Sequence, residues 1–343
     1  MTVRRLPTDV RVAVIGVGHL GSQHSRVYRE MEDVDLVGVV DVDEARGQET
    51  AEKNETSFFR DYRELFGEVD AVSVVTPTES HYPIAREFLE MGVSVLVEKP
   101  MTMSVEEAKS LVEVAKGSQG ALQVGHIERF NPAVQAAKRY IDAPRYIESI
   151  RICPYSFRST DISVVLDLMI HDIDIILNLS KSPLKKVEAV GVGVISEAED
   201  MANARLVFEN GCVANVTASR VSSKTLRQIR VFQKDCYISL DYVERSATVW
   251  RRPLSLSACM EEGGNGRKEK ELREMGMNGN GLFSCERVAM VDGEPLRKEL
   301  EAFVEVVKSK TPPVVSAQDG LKAMEVAETI VERIRDNSWN NGK

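Results

Sequence analysis

An α/β fold is predicted, with an N-terminal doubly wound parallel sheet followed by a C-terminal α+β domain built on a largely antiparallel sheet. Three observations predict it. Residues 1–125 alternate short β-branched runs with helical segments, the pattern of parallel strands joined by crossover helices. From about Tyr146 the texture changes to closely spaced strand-like runs with short connections. The 343 residues, 43% hydrophobic and only 6% aromatic, are enough for two ordinary globular cores. The expected division is therefore 1–125 and 126–343.

The first element in order is a strand at 10–15, which runs directly into Gly16-Val-Gly18-His19-Leu20-Gly21 and then a helical segment. G-x-G-x-x-G between strand and helix is the dinucleotide-binding turn of a Rossmann sheet. Gly16 permits the tight turn, Gly18 lets backbone approach a pyrophosphate, and Gly21 lets the helix pack on the sheet. The helix N-terminus, opening with His19 and Leu20, attracts the anion. The second strand, 35–41, ends in Asp41. A carboxylate there can accept hydrogen bonds from both ribose hydroxyls and would repel a 2′-phosphate, so NAD is expected rather than NADP. Asp43 suits the N-cap of a helix starting near Glu44, which leaves Asp41 to the nucleotide. Strands at 70–75, 93–97 and 121–124 and helices over Ser80–Met91 and Ser104–Lys116 complete the sheet, the latter helix opening on a Ser104-x-x-Glu107 capping box.

In the second domain, strands are predicted at 147–153, 187–195, 202–208, 212–220, 228–234, 236–242 and 247–251, with Asn210-Gly211 marking a hairpin. Residues 258–285 are rich in Gly, Glu, Lys and Asn without hydrophobic periodicity and read as a long surface loop. Helices at 295–308 and 317–335 close the chain, the second with Leu321, Met324, Ala327, Val331 and Ile334 at helical spacing.

Composition narrows the function classes. A net charge of −9 argues against general nucleic-acid binding and against an anionic membrane surface, but not against an anionic small substrate. Five widely spaced cysteines (Cys153, Cys212, Cys236, Cys259, Cys285), without a C-x-x-C pair, suggest neither a disulfide framework nor a zinc site. Met1–Asp9 carries Arg4 and Arg5 but no apolar run, and no later stretch approaches eighteen apolar residues, so a cytoplasmic location without export or a membrane span is expected.

Two segments carry candidate chemistry. Asp167-Leu-Met-Ile-His171-Asp-Ile-Asp174-Ile-Ile-Leu-Asn178 is apolar apart from a polar stripe, and 167, 171, 174 and 178 fall on one helical face. Burying such a stripe is costly unless it is partnered, which points to a polar network or a site. A carboxylate four residues from an imidazole can orient the ring and stabilise its charged form, which suits acid–base chemistry. The same pair without a third His or Cys does not make a metal site. The second segment is Val95-Leu-Val-Glu98-Lys99-Pro100, a buried-type strand ending in a charged pair, where a doubly wound sheet binds its ligand.

These motifs resemble the Gfo/Idh/MocA oxidoreductases. The resemblance is carried by the turn at Gly16–Gly21, His24, Thr76-Pro77-Thr-Glu-Ser-His81, Glu98-Lys99-Pro100 and Asp167-x-x-x-His171-x-x-Asp174, in that order over nearly the whole chain. It implies an NAD-dependent dehydrogenase acting on a CH–OH group, with Gly16, Gly18, His19, Leu20, Gly21, Asp41, Thr76, Pro77, His81, Glu98 and Lys99 at the cofactor. It implies that Lys99 hydrogen-bonds the reacting hydroxyl, His171 acts as general acid/base and Asp167 positions substrate. It also implies a homo-oligomer, a dimer or tetramer, assembled through the C-terminal sheet. One departure is Met169, where the family often has Gly.

Gln123-Val-Gly-His126-Ile-Glu128-Arg129-Phe130-Asn131-Pro132, together with the 165–174 segment, is similar to members that oxidise nucleotide sugars. The implied reaction is oxidation of the 3-hydroxyl of a UDP-N-acetylhexosamine. Arg129, Asn131 and Arg158 are candidates to meet the substrate or its phosphates, and His126 reads as structural. An enzyme of the same family acting on inositol or another sugar, and a non-catalytic NAD or sugar-nucleotide sensor, are the alternatives.

Overall fold

The computed structural model describes residues 9–156, 162–251, 284–290 and 293–337. It divides into two compact units that are discontinuous in sequence, one of Met1–Phe130 with Gly293–Glu328 and one of Asn131–Asp292 with Thr329–Lys343. The segment 293–328, expected with the C-terminal domain, therefore belongs to the first unit.

The first unit is built on six strands, β1 (Val10–Ile15), β2 (Val34–Val40), β3 (Ser57–Phe59), β4 (Ala71–Val74), β5 (Ser94–Glu98) and β6 (Leu122–Gly125). All pair in parallel in the order β3-β2-β1-β4-β5-β6, so the winding reverses between β1 and β4. The crossovers are α1 (His19–Arg29), α2 (Glu44–Lys53), α3 (His81–Glu90) and α4 (Val105–Gly117). Valines and alanines on β1, β4 and β5 are buried on both faces, as a parallel sheet covered by helices requires. Strand β3 is absent from the sequence reading because three residues are too few to show a period. At α4 the Ser104 Oγ accepts from Glu107 N (3.2 Å), while the Glu107 carboxylate accepts from Met103 N (3.0 Å), one residue before the expected capping-box partner.

The last helices explain the unit boundary. Leu296, Leu300, Phe303, Val304 and Val307 on α7 (Pro295–Ser309) join Val12, Val14, Val27 and Tyr28 in one core cluster. α8 (Ala317–Asp336) spans the division at 328/329. Neither its apolar stripe nor that of α7 says which domain receives it.

The second unit carries an eight-stranded sheet ordered β14-β13-β12-β11-β7-β10-β9-β8. Its strands are β7 (Tyr146–Ile152), β8 (Leu184–Val192), β9 (Met201–Phe208), β10 (Val213–Ser219), β11 (Leu226–Gln233), β12 (Cys236–Asp241), β13 (Ser246–Arg251) and β14 (Ser284–Arg287). Only β7 and β10 pair in parallel; the other pairs are antiparallel. The β9–β10 hairpin turns at Asn210-Gly211, where Gly211 takes a φ of +82°. One face, with Ile147, Leu206, Val216, Ile229 and Val249, is buried, and α5 (Pro132–Ala137) and α6 (Ile170–Ser180) pack in this unit.

Two strand expectations are corrected. Ser284 and Cys285, read as loop, lie in the edge strand β14; residues 258–283 of that predicted loop lie outside the described residues. The strand expected at 187–195 ends at Val192, because Asp200 gathers the next backbone. Its Oδ2 accepts from Val194 N, Ile195 N and Ser196 N at 2.6–2.9 Å, and its Oδ1 accepts from Arg220 Nε at 2.7 Å. Burial alone would raise this carboxyl's pKa, but the N–H of Ile195 and Ser196, the Arg220 guanidinium and the N–H of Val194 outweigh it and hold the pKa far below the usual carboxylate range. The stability gained is present above the unfolded value, about pH 4, and is lost as pH falls toward the folded one. Asp200→Asn is expected to lower the urea midpoint at neutral pH and to shrink its decline below about pH 4; identical pH dependence in both proteins would contradict this role.

Candidate active-site residues

In the first unit, the expected cofactor residues line the carboxyl ends of the strands. Gly16 has a φ of +86°, and a Cβ there would lie 2.8 Å from the Val75 carbonyl oxygen. A Cβ at Gly21 would fall 1.8 Å from Gly16 O, so only glycine lets α1 pack on the turn. At Gly18 a Cβ would meet nothing within 4 Å, which leaves that face of the backbone open to a ligand. No side chain caps α1, so its first N–H groups are directed to whatever occupies the turn. His19 and Leu20 on the first turn are exposed. A groove of about 490 Å³ between α1 and α2 borders the turn, with Gly18, His19, Arg26, Arg46 and Lys53 among its lining.

Asp41 is buried, and Asp43 caps α2 through Arg46 N as expected. The Asp41 carboxylate accepts four hydrogen bonds. Val17 N (2.9 Å) and Arg46 Nε (3.1 Å) donate to Oδ2, and Asp43 N (2.9 Å) and Arg46 Nη2 (2.7 Å) donate to Oδ1. Burial opposes ionisation, but Arg46 and the N–H groups of Asp43 and Val17 prevail and hold the pKa below its usual value. Four bonds fill the acceptor sites of a carboxylate. Two of the four come from Arg46, whose side chain is 47% exposed. Sequence reasoning missed Arg46; its place five residues after Asp41, on the first turn of α2, was the available signal.

At the ends of β4 and β5, Thr76 Oγ1 is buried and makes no hydrogen bond within the described protein, and Pro77 beside it is exposed. His81 is buried between two backbone carbonyls, Nδ1 2.9 Å from Pro100 O and Nε2 2.8 Å from Thr76 O. Burial pushes its pKa down against the pull of those carbonyls. Both ring nitrogens are thus engaged by the protein, and His81 shapes the site through the loops it joins. Glu98 is buried, Lys99 half-buried, and the Lys99–Pro100 peptide is cis.

In the second unit, the predicted polar helix is two elements. Val165–Met169 form a π-helical turn, which runs into α6. Asp167 lies in that turn and His171 in the first turn of α6, so their spacing does not follow the α-helical phase read from the sequence. π turns recur at functional sites. Asp167, His171 and Asn178 are partly exposed, whereas Asp174 is 1% exposed. The neighbouring Asp172 is buried against Arg151 on β7, with Nε–Oδ2 2.6 Å and Nη2–Oδ1 3.3 Å, and ties α6 to the sheet. Sequence reasoning missed this pair, although Ile147, Ser149 and Arg151 alternate onto the buried face. Among the described residues, no three His, Cys, Asp or Glu come together as a metal-binding group.

The model of the NAD-binding Rossmann oxidoreductase family matches residues 10–126, and that of the GFO/IDH/MocA C-terminal domain matches residues 155–238. A UDP-N-acetylglucosamine 3-dehydrogenase of Acidithiobacillus ferrooxidans is 41% identical over 244 residues, 71% of this chain and 77% of that protein. This chain belongs to the Gfo/Idh/MocA oxidoreductases. The scyllo-inositol 2-dehydrogenase (NAD(+)) of Bacillus subtilis is 32% identical over 62% of this chain and 68% of its own. Among solved structures of the family, that of UDP-N-acetylglucosamine 3-dehydrogenase GnnA from Acidithiobacillus ferrooxidans superposes with a TM-score of 0.84 and 33% identity, covering 96% of this chain and 98% of that one.

The first unit fits the NAD of a Gfo/Idh/MocA enzyme. The open face at Gly18 and the uncapped α1 terminus are features that a dinucleotide's pyrophosphate requires. Of the residues expected to meet substrate, Arg129 and Asn131 are 7% and 4% exposed. Asn131 Oδ1 caps α5 by accepting from Ala133 N (3.1 Å), and its Nδ2 donates to Tyr242 O (3.2 Å). Arg158 lies outside the described residues. His126, read as structural, is 1% exposed.

Proposed function

We propose that this chain oxidises the 3-hydroxyl of UDP-N-acetylglucosamine to a 3-keto sugar nucleotide. The observation that carries the reading is its 41% identity over 77% of the Acidithiobacillus 3-dehydrogenase, against 32% over 68% of the inositol enzyme. NAD supplies the hydride acceptor. Lys99 donates a hydrogen bond to the reacting hydroxyl, and its positive charge favours the developing alkoxide. His171 takes the hydroxyl proton as general base, and Asp167 holds the substrate for that transfer. Asn131 contributes as the cap of α5 rather than by substrate contact, since Ala133 N and Tyr242 O engage its amide. A 3-ketone is the substrate of an aminotransferase, which would place the protein in the cytoplasmic supply of 3-amino sugars for surface glycans or lipid A.

The test is a panel of UDP-N-acetylglucosamine, UDP-glucose, myo-inositol and glucose with NAD, read by absorbance of the reduced nicotinamide. Parallel samples contain 2-oxoglutarate, since a cofactor that stays bound needs a second substrate to reset it. Selective reduction with UDP-N-acetylglucosamine is expected. Turnover of inositol or glucose alone would keep the dehydrogenase and overturn the substrate.

We also propose a homo-oligomer, a dimer or tetramer, formed through the face of the second unit's sheet opposite its buried one. Tyr146, Phe232, Tyr237 and Trp250 run across β7, β11, β12 and β13 on that face, with successive ring centroids 5.7, 5.0 and 6.1 Å apart. A row of partly exposed aromatic rings with polar neighbours matches the composition of a protein interface. Light scattering is expected to give a multiple of the 38.2 kDa chain, and Phe232→Asp with Tyr237→Asp to give the monomer. An unchanged mass in the double variant would locate the interface elsewhere.

A further inference from the structure

The tripeptide Glu98-Lys99-Pro100 is held on each side by a buried histidine. His24 on α1 is 0% exposed; its Nε2 lies 3.3 Å from Glu98 Oε1 as a close polar contact, and neither ring nitrogen makes a hydrogen bond among the described residues. The other carboxylate oxygen accepts from Lys99 N at 3.3 Å. Glu98 in turn rests on Gly125 at the end of β6, where a Cβ would come within 2.7–2.9 Å of its carboxylate atoms. Beyond Lys99, the Pro100 carbonyl is 2.9 Å from His81 Nδ1, and the opposite nitrogen of that ring faces the Thr76 carbonyl at 2.8 Å. The ends of β4, β5 and β6 and the helix after the glycine turn are thereby joined through the residues that flank Lys99.

Polarity is an expensive way to fill this space. Three ionisable side chains, His24, His81 and Glu98, are 0%, 1% and 8% exposed, where well-packed apolar residues would hold a sheet edge at least as firmly. Each of them contacts the backbone or side chain next to Lys99, or the loop that shares its strand end. Breaches of the apolar-core rule concentrate where a site must be held in one geometry.

We infer that His24 and His81 are positioning residues for Lys99, acting through the Glu98 carboxylate on one side and the Pro100 carbonyl on the other. The inference rests on the reading of Lys99 as the group that meets the substrate hydroxyl. A displacement of about 1 Å at such a group lowers turnover by roughly 100-fold. The device therefore sets kcat, and it leaves the pyrophosphate and ribose contacts at the ends of β1 and β2 in place.

The test compares His24→Ala, His24→Gln, His81→Ala, His81→Gln and Gly125→Ala with Lys99→Ala. Gly125→Ala removes no histidine; its methyl displaces the end of the Glu98 side chain, so it probes the same device if a histidine variant fails to fold. Four readouts are taken: kcat, NAD Kd by titration, unfolding midpoint, and the rate at which Lys99 in cofactor-free protein is acylated, followed by mass spectrometry. The alanine variants are expected to lose about 10- to 100-fold in kcat and to change the acylation rate of Lys99, and His24→Ala and Gly125→Ala are expected to keep NAD Kd within about 3-fold. At His81, glutamine, which keeps a hydrogen-bonding nitrogen, is expected to restore part of kcat. An inactive Lys99→Ala with wild-type kcat in the His24, His81 and Gly125 variants would overturn this inference alone. Loss of kcat, NAD affinity and unfolding midpoint together, with no change in Lys99 acylation, would reduce both histidines to scaffold. Normal turnover by Lys99→Ala would overturn the reading of Lys99 and the inference with it.

Discussion

Lys99→Ala is expected to lower turnover by roughly 10²- to 10⁴-fold while NAD binds within a few-fold of the wild-type affinity. The split follows from position. Lys99 stands at the carboxyl end of β5, whereas the glycine turn and Asp41 follow β1 and β2, on the other side of the β1/β4 reversal. On the proposed role, removing the ammonium takes away the charge that would favour an alkoxide and leaves the glycine turn and Asp41 unchanged. His171→Ala is expected to match it, through loss of the proposed base. With saturating NAD and UDP-N-acetylglucosamine, the effect is expected on kcat as well as kcat/KM, which is what the proposed roles of the two groups predict. Steady-state kinetics and a titration of NAD check both halves. Unchanged turnover in either variant would refute its role.

Arg151→Ala is expected to cost about 3–5 kcal/mol of stability. Arg151 is 2% exposed, and its guanidinium holds Asp172, 1% exposed, in a two-bond pair; it also lies 5.3 Å from the centroid of the Tyr242 ring. Truncation would strand a buried carboxylate, an unfavourable change in a protein whose total margin is of the order of 10 kcal/mol. The pair joins β7 to the residue after His171, so catalytic activity should fall with stability. Replacing both partners, Arg151→Met with Asp172→Leu, is expected to recover most of the stability because no charge is left unpaired. Urea unfolding of the single and double variants measures this. A loss below about 1 kcal/mol in the single variant would mean that water reaches Asp172.

The parallel sheet was legible because its strands are continuous β-branched runs ending in chemically distinctive residues. Gly16, Asp41, Thr76 and Lys99 all fall at strand ends, where a doubly wound sheet gathers its ligand contacts. Asp43 as the α2 cap was equally readable, since capping depends on local spacing. What was not legible depends on partners distant in sequence. The His24–Glu98 pair joins residues brought together only by the sheet. Helix α7 shows an apolar stripe, yet nothing in that stripe names the core it enters. The π turn at Val165–Met169 leaves no trace in a pattern that a regular helix fits equally well. The early end of β8 depends on Asp200, whose carboxylate diverts three N–H groups that a run of apolar residues would otherwise place in a strand.

The most direct measurement uses UDP-N-acetylglucosamine deuterated at carbon 3, incubated with the protein and NAD, with the nicotinamide and the sugar analysed by NMR. Deuterium on the reduced nicotinamide, together with a 3-keto sugar nucleotide, is the expected result. Reduced nicotinamide without deuterium, or reduction by inositol and not by this sugar, would contradict the proposed reaction.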